Sequence, residues 1–454
     1  MSEKRASINE QRGAQKVSPA RFAAFSILRR VEEENAFASV LLAYGTEHLR
    51  ADDRALCYEL VQGVLRWQLW LDALIEKFSG RSAQKLDVPV RLALRLGLYQ
   101  LRKLSRVPAR AAVNESVNLV RLSRLRSAEG FVNAVLRRAA REIEFDPAAE
   151  TTDRFERISV ETSHPRWLVE RWVDAMGEDV AREFCEANNR PPGVSFRINT
   201  NFANASEVID KLKSAGASVT ASQIAADAWR VEGASALIRI FSQEGLIYLQ
   251  DEASQLVAHV VGARAGERVL DLCAAPGSKS THIAQLSNNK AFIVACDIHE
   301  HRLRTVLEAV ARQRACLAGA IVLDATEPLP FPHKSFDHVL VDAPCTGTGT
   351  LRRNPEIRWR IRPSDLSDLP EKQRRILANA SRVLRSGGRL VYSTCSVETE
   401  EDESVASAFL DEHKDFERIT VDAPAHLLQP DGSIRTWPHR DGSDGFFIYA
   451  FERR

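Results

Sequence analysis

Between residues 18 and about 145, apolar side chains recur every three to four positions, the period of helices that bury one face. In "SPARFAAFSILRRVEEENAFASVLLAYG", Phe22, Phe25, Ile27, Leu28 and Val31 follow that period, with Ser18 and Pro19 at the opening and Gly45 at the close. The segments "DRALCYELVQGVLRWQLWLDALIEKF", "PVRLALRLGLYQLRKL", "ARAAVNESVNLVRLSRL" and "GFVNAVLRRAAREIE" repeat the theme. They predict an all-α domain over 18–150, with arginines left on its outer faces. From about 160 to 250 the texture changes. "SHPRWLVERWVDAMGEDVAREFCEANN" reads as a helical pair capped by Ser163. "VSFRINT" and "WRVEG" then read as strands around the helix "SEVIDKLKSAG", a small α+β module. From 251 to 454 apolar runs alternate with amphipathic helices: "ERVLDLCA", "KAFIVACDI", "GAIVLDAT", "FDHVLVDAP" and "GGRLVYSTC" each end in polar or acidic residues. That order predicts a parallel α/β sheet covered on both faces, closed by an antiparallel pair in "GSIRTWPHRDGSDGFFIYAFER". The first 17 residues show no such pattern and read as a flexible, weakly basic tail.

Composition adds three constraints. Hydrophobic residues are 44% and charged residues 27%, the balance of a folded, soluble chain. The start lacks the apolar core of a secretory signal, and no run is long enough to span a membrane, so a cytoplasmic location is expected. The net charge of +1 conceals a gradient, since the first 150 residues carry an excess of Lys and Arg and the remainder an excess of Asp and Glu. A basic front half suggests nucleic acid as its partner. The seven cysteines, at 57, 185, 273, 296, 316, 345 and 395, form no C-x-x-C pair, so free thiols and no metal are expected.

Ligands of such sheets sit at the carboxyl ends of the strands. Those ends carry Asp271, Asp297, Asp324 and Asp342. The first loop, "DLCAAPGSKS", has a single glycine and matches neither glycine-rich phosphate-binding pattern. Acids suit a cofactor with ribose hydroxyls, no phosphate and a positive centre, which describes S-adenosylmethionine.

"LVQGVLRW", "RLALRLGLYQL", "VPARAAVNESVNLV" and "GFVNAVLRR" resemble the NusB family of helical RNA-binding domains. That resemblance implies RNA contacts by basic residues, with Arg110, Arg121, Arg124, Arg126, Arg137 and Arg138 as candidates. "DLCAAPGSKS", "DAPCTGTG", "RRNPEIRW", "YSTCS" and "DGFF" resemble the RNA cytosine-5 methyltransferases of the Sun/Fmu/NOL family. Together they imply a multidomain enzyme. A NusB-like bundle (18–150) precedes a small α+β module (160–250) and a Rossmann-like class I S-adenosylmethionine-dependent methyltransferase domain (251–454). Its expected partner is small-subunit ribosomal RNA, and it is expected as a monomer. Carried over by motif, Cys273, Ala274, Ala275, Pro276, Gly277, Ser278 and Lys279 wrap the methionine end of the cofactor. Asp297 binds the ribose, Asp324 lies by the adenine, and Asp342 approaches the methyl donor. "LQDEAS" (249–254) helps shape the site. Ser278 stands where the family usually has a second glycine.

Two cysteines lie just beyond two strands, Cys345 after "VLVDAP" and Cys395 in "YSTCS". Carbon 5 of cytosine is a poor nucleophile, and a thiolate that adds to carbon 6 activates it. The resemblance implies Cys395 as that nucleophile, Cys345 as the group that assists release, and Asp342 as a hydrogen-bond partner of the pyrimidine. Thr346, Gly347 and Thr348 are read as a tight loop around the base, and Arg358 and Arg360 as phosphate contacts. A different RNA such as tRNA, or a non-catalytic RNA-binding role, remain the alternative readings.

Overall fold

The computed structural model describes residues 17–454, so the expected N-terminal tail lies, up to Lys16, outside the described residues. The chain divides into two units, one holding the residues up to Pro191 with Leu351–Arg360, the other Pro192–Thr350 with Ile361–Arg454. No helix among the described residues is long and apolar enough to cross a membrane.

The first unit is helical. The opening segment forms two helices, Pro19–Glu33 and Ala38–Gly45, because "NAF" interrupts the period. Phe25, Ile27, Leu28 and Val31 are buried as their spacing predicts, whereas Phe22 is exposed. Helices Ala51–Arg66, Gln68–Ser79, Val88–Lys103, Ala109–Leu122 and Glu129–Arg141 share one apolar core that includes Leu60, Leu71, Leu94 and Leu136. Arg95 crosses that core's edge to grip both oxygens of Asp72 at 2.7 Å. Such a buried guanidinium is tolerable only because its donors are met by carboxylate. Helices Arg166–Met176 and Glu178–Asn188 also belong to this unit. Ser163 does not cap them. It ends the preceding helix in a left-handed conformation (φ 55°), and its hydroxyl accepts from Leu69 N at 2.9 Å.

Arg358 overturns one expectation. It is wholly buried in the first unit. Its Nη1 donates to Ser163 O at 3.0 Å and Asn189 Oδ1 at 2.9 Å, and its Nη2 to Asn188 O at 3.3 Å. A guanidinium with no exposed surface and both terminal nitrogens on protein acceptors has no face open to phosphate, so Arg358 is placed as a structural tie within this unit. Arg360 is partly buried and spends Nη2 on the carbonyls of Ala36 (2.7 Å) and Val31 (3.2 Å). Arg121 is paired with Glu129 at 2.6 Å, which halves its appeal to phosphate. Arg137 and Arg138 are exposed and lean on Asn133 and Glu142. Arg110, Arg124 and Arg126 are exposed on this unit.

The second unit holds two sheets. Strands β1 (Val194–Ile198), β2 (Ser218–Ala221), β3 (Ala228–Glu232) and β4 (Ile247–Leu249) form an antiparallel sheet in the order β2-β3-β1-β4. Helices Ala205–Ser214 and Ser235–Gln243 complete this module over a core that includes Phe196, Leu212 and Phe241. The larger sheet contains β5 (Arg268–Asp271), β6 (Phe292–Asp297), β7 (Gly319–Val322), β8 (Phe336–Asp342), β9 (Leu384–Thr394), β10 (Phe416–Arg418), β11 (Ile434–Thr436) and β12 (Phe446–Arg453). Its order is β10-β12-β9-β8-β5-β6-β7, with β11 on β12. Strands β5 to β9 are mutually parallel, and β12 returns antiparallel beside β9. Val269, Leu270, Val339, Leu340 and Val341 are fully buried, as continuous apolar runs require when helices cover both faces.

Candidate active site

From β5 the chain moves outward through β6 to β7, whereas β8 leads the other way to β9, and β5 and β8 are neighbours. The crevice past the carboxyl ends of β5 and β8 is therefore the switch point where this class of sheet binds its ligand. The loop after β5 ends at Gly277, whose φ of +97° only glycine adopts freely, and the helix Ser278–Leu286 starts at once. Ser278 lies in the first helical turn with no positive φ, so the serine at this position strains nothing.

Lys279, on that first turn, donates from Nζ to Asp342 Oδ2 at 2.6 Å, and Asp342 Oδ1 accepts from Ser393 Oγ at 2.8 Å. Burial works against the Lys279 charge. The Asp342 carboxylate, with the Cys395 sulfur behind it, outweighs burial and holds the ammonium above its usual range. Asp271 is a strand-end acid of another kind. It is fully buried, Ser280 Oγ donates to its Oδ2 at 2.6 Å, and its Oδ1 has no partner. Burial pushes its pKa up to about 7, so it pins the helix to β5 and offers nothing to a ribose. Asp297 is nearly buried, its Oδ1 accepting from His299 N at 3.0 Å and its Oδ2 lying 3.6 Å from Arg302. Asp324 is exposed, and Thr326 donates to it from backbone and hydroxyl, which holds its pKa low. The thiol of Cys273 is pushed well up by burial and then by the charges of Asp271, Asp342 and Asp297, as befits a packing residue.

The two cysteines meet. Asp342 pairs with Ser393 across β8 and β9, and the loops beyond bring Cys345 Sγ to 3.4 Å from Cys395 Sγ. Both thiols are partly buried. The hydrogen bond with Cys395, then burial, then the negative charge on an ionised Cys395 push the Cys345 thiol well up.

What holds the thiols together was not legible in advance. Glu401 is fully buried, and its Oε1 accepts from Thr346 N at 2.9 Å and from Gln373 Nε2 at 3.2 Å. Its Oε2 accepts from the hydroxyls of Thr346 and Ser396, the residues immediately after the two cysteines. One carboxylate therefore ties both loops. Burial raises its pKa against those hydrogen bonds. Next to it, Asp402 joins Thr394 to Arg435, which lies 2.9 Å away. In "SVETEEDES" these acids look like a solvated run, and only the fold turns three of them, Glu398, Glu401 and Asp402, inward. The same network corrects the reading of the loop. Thr346 and Thr348 are buried with their hydroxyls on Glu401, Ser396 and Val397 N, so their side chains are not free to line a base. Gly347 has a φ of +72°. Gly349 passes so close to Gly445 that a Cβ would sit 2.0 Å from its carbonyl oxygen, which places "DGFF" against the thiol loop. Asp251 of "LQDEAS" accepts from Asp444 N at 3.2 Å and completes that wall.

The donor set fits S-adenosylmethionine. The ammonium at the helix start is already neutralised by Asp342, so the loop offers no surplus charge to a phosphate. Asp297 and Asp324 leave the rim acidic, suited to hydroxyls and a sulfonium.

Comparison with known proteins agrees with this geometry. Residues 258–452 match the 16S rRNA methyltransferase RsmB/F family, residues 18–141 the NusB family, and residues 164–237 the ferredoxin-like domain of RsmF/B-like methyltransferases. The probable ribosomal RNA small subunit methyltransferase B of Bacillus subtilis is 36% identical over 441 residues, covering 95% of this chain and 98% of its own. The ribosomal RNA small subunit methyltransferase B of Pseudomonas syringae is 33% identical over 442 residues, covering 94% and 95%. The crystal structure of PH0851 superposes with a TM-score of 0.83 at 28% identity, covering 96% of this chain and 99% of that one. Matched over nearly its whole length by these relatives at 33% and 36% identity, the chain belongs to the ribosomal RNA small subunit methyltransferase B family.

Proposed function

We propose that the protein transfers a methyl group from S-adenosylmethionine to carbon 5 of a cytidine in small-subunit ribosomal RNA, through a covalent bond between Cys395 and carbon 6. The observation that carries this reading is the 3.4 Å approach of Cys345 and Cys395 beside the Lys279–Asp342 pair. A base that must be activated by addition needs one sulfur to attack and a second group to manage the proton. A purely structural thiol pair needs neither the lysine nor the acid.

In this reading the loop 273–279, Asp297 and Asp324 hold the cofactor. When bound it supplies an electrophilic methyl group. The thiolate of Cys395 forms a bond to carbon 6, and the carbon 5–carbon 6 electron pair becomes available at carbon 5. Asp342 accepts a hydrogen bond from the pyrimidine's amino group and orients the ring towards the thiols. Lys279 fixes Asp342 in place. Once carbon 5 carries the methyl group, its proton passes to Cys345, which has by then released its own proton to solvent, the double bond reforms, and the carbon–sulfur pair returns to Cys395. Cys345, protonated at the outset, assists that release. The target nucleotide must be unpaired or flipped out to reach the thiols. Arg110, Arg124 and Arg126 of the helical unit act as RNA contacts, with Arg121 and Arg360 contributing less.

The test is methyl transfer from labelled S-adenosylmethionine to unmodified small-subunit ribosomal RNA, with transfer RNA as the competing substrate. Wild type turns over the ribosomal RNA. Cys345→Ala accumulates a denaturation-resistant protein–RNA adduct, and Cys395→Ala forms none. Adduct in Cys395→Ala instead would reverse the two roles, and labelling of transfer RNA alone would reject the substrate.

A further inference from the structure

Away from the thiols, three side chains from distant parts of the second unit converge. His259 lies on the helix Glu252–Val261, His282 on the helix Ser278–Leu286, and Asp227 just before β3. One ligand atom from each lies within 4.8 Å of the other two. His259 Nε2 is 3.6 Å from Asp227 Oδ2, and the two imidazoles meet edge to face at 5.2 Å. His282 is completely buried, yet neither of its ring nitrogens has a hydrogen-bond partner in the protein, and His259 Nε2 lacks one too.

We infer that Asp227, His259 and His282 bind a divalent metal ion, with zinc as the ion their chemistry favours. A buried polar atom left unpaired costs roughly 1–3 kcal/mol, so core histidines normally place at least one nitrogen on a carbonyl or hydroxyl. His282 places neither. Two imidazoles and a carboxylate form a nitrogen–oxygen set typical of zinc, with solvent completing the shell. The open side is that of Asp227 and His259, whose side chains are 40% and 23% exposed. Ligand atoms around tetrahedral zinc stand roughly 3.3–3.5 Å apart, so the set must tighten by about an ångström. Asp227, on a turn, is the residue free to move.

The unfavourable neighbour is Arg197, whose charge reaches His282. Its guanidinium is fully engaged, donating to Gln250 at 3.2 Å, Thr281 at 2.9 Å and Gln285. Asp227 acts on it with opposite sign. The aspartate thus offsets both the guanidinium and the ion, and the site is weaker than a closed four-ligand site would be. Bound metal would clamp the β2–β3 turn to the helix that begins at Ser278 and Lys279, the first wall of the cofactor crevice. The three ligands are too widely spaced in sequence to have suggested a metal, and the sequence reading expected none.

The experiment uses tag-free, full-length protein stripped with chelator, then titrated with zinc or cobalt alone, with metal content and thermal unfolding as readouts. Wild type binds one equivalent and melts higher with zinc. Asp227→Asn and His259→Gln, both at partly exposed positions, weaken binding by more than the ~10- to 100-fold that outer-sphere partners contribute. His282→Gln abolishes binding where it folds. Cys345→Ser/Cys395→Ser retains it, and the cobalt form shows no thiolate charge-transfer band. The inference is overturned if wild type takes up neither ion, if Asp227→Asn and His259→Gln bind as wild type does, or if the cysteine variant loses the ion.

Discussion

Glu401 offers the sharpest test of how the thiol site is held. In Glu401→Ala the carboxylate goes and four donors lose an acceptor. Two of them can recover, because the Thr346 hydroxyl can donate to Ser396 Oγ at 3.2 Å and the Ser396 hydroxyl to Thr348 Oγ1 at 3.3 Å. Gln373 keeps its bond to Pro344 O at 2.9 Å. The Thr346 N–H is left stranded in the interior, at a cost of about 1–3 kcal/mol, partly offset by removing a buried carboxylate. A net loss of about 2 kcal/mol follows. The larger consequence is geometric. The residues after Cys345 and Cys395 are no longer tied to one anchor, and an ångström of drift between reacting groups costs ~100-fold in turnover. In Glu401→Gln one oxygen still accepts from Thr346 N, while the two hydroxyls reverse to meet the amide, so activity stays within ~10-fold of wild type. The assay is kcat and KM for methyl transfer at saturating RNA, with thermal melts in parallel. KM for the cofactor should not move, because Lys279 and Asp342 are untouched. A kcat for Glu401→Ala within twofold of wild type would refute the reasoning, as would a Gln variant as damaged as the Ala variant.

Other consequences can be checked with single variants. Lys279→Met leaves Asp342 half-buried without its cation and should cost about 3 kcal/mol, with Lys279→Met/Asp342→Asn regaining stability but not activity; equal stability of all three proteins would show the pair to be neutral. Arg358→Ala should lower the melting temperature of the helical unit by an amount equivalent to about 3 kcal/mol and leave the salt dependence of RNA binding unchanged; a shallower salt slope at unchanged stability would restore it as a phosphate contact. Asp271 carries a folded pKa of about 7 against about 3.9 unfolded, so the protein binds this proton more tightly when folded, and its stabilising contribution is lost as pH rises through 7. Wild type should therefore lose about 3 kcal/mol relative to Asp271→Asn between pH 5 and pH 8, and parallel pH profiles for the two proteins would contradict it.

The five parallel strands of the large sheet were legible because each is an apolar run closed by polar or acidic residues, and the pairing of β8 with β9 brought the two cysteines together as that order implies. Short strands were not. β2 and β4 have four and three residues and are paired into their sheet rather than announced by pattern. Charge proved the poorest guide to position. Arg358, Glu401 and Asp402 all sit in polar stretches that read as surface, yet all are fully buried, because tertiary partners rather than neighbours in sequence compensate their charge. Single acids at strand ends were likewise indistinguishable in sequence, although Asp271 faces a helix and Asp342 faces the thiols' strand. Residues that act through partners far along the chain leave no local signal.

The coupling of the two sulfurs bears on their order of use. At 3.4 Å the pair shares a proton, and ionising one sulfur makes the second ionisation harder. Cys345 bears that penalty here, and its largest cause is the hydrogen bond to Cys395, followed by burial and by the Cys395 charge. In the proposed cycle Cys395 loses its negative charge when its electron pair enters the bond to carbon 6. Two of the four causes that hold the Cys345 proton then disappear, and burial and the Glu401 charge remain. Cys345 becomes easier to deprotonate after the adduct forms, so in that cycle it releases its proton to solvent at that stage and can then accept the proton from carbon 5. When the carbon–sulfur pair returns to Cys395, the charge returns with it and Cys345 again favours its proton. Two equivalent thiols could not be ordered in this way, and two distant ones would not feel each other's state. The close approach therefore sequences attack and release without any movement of the loops.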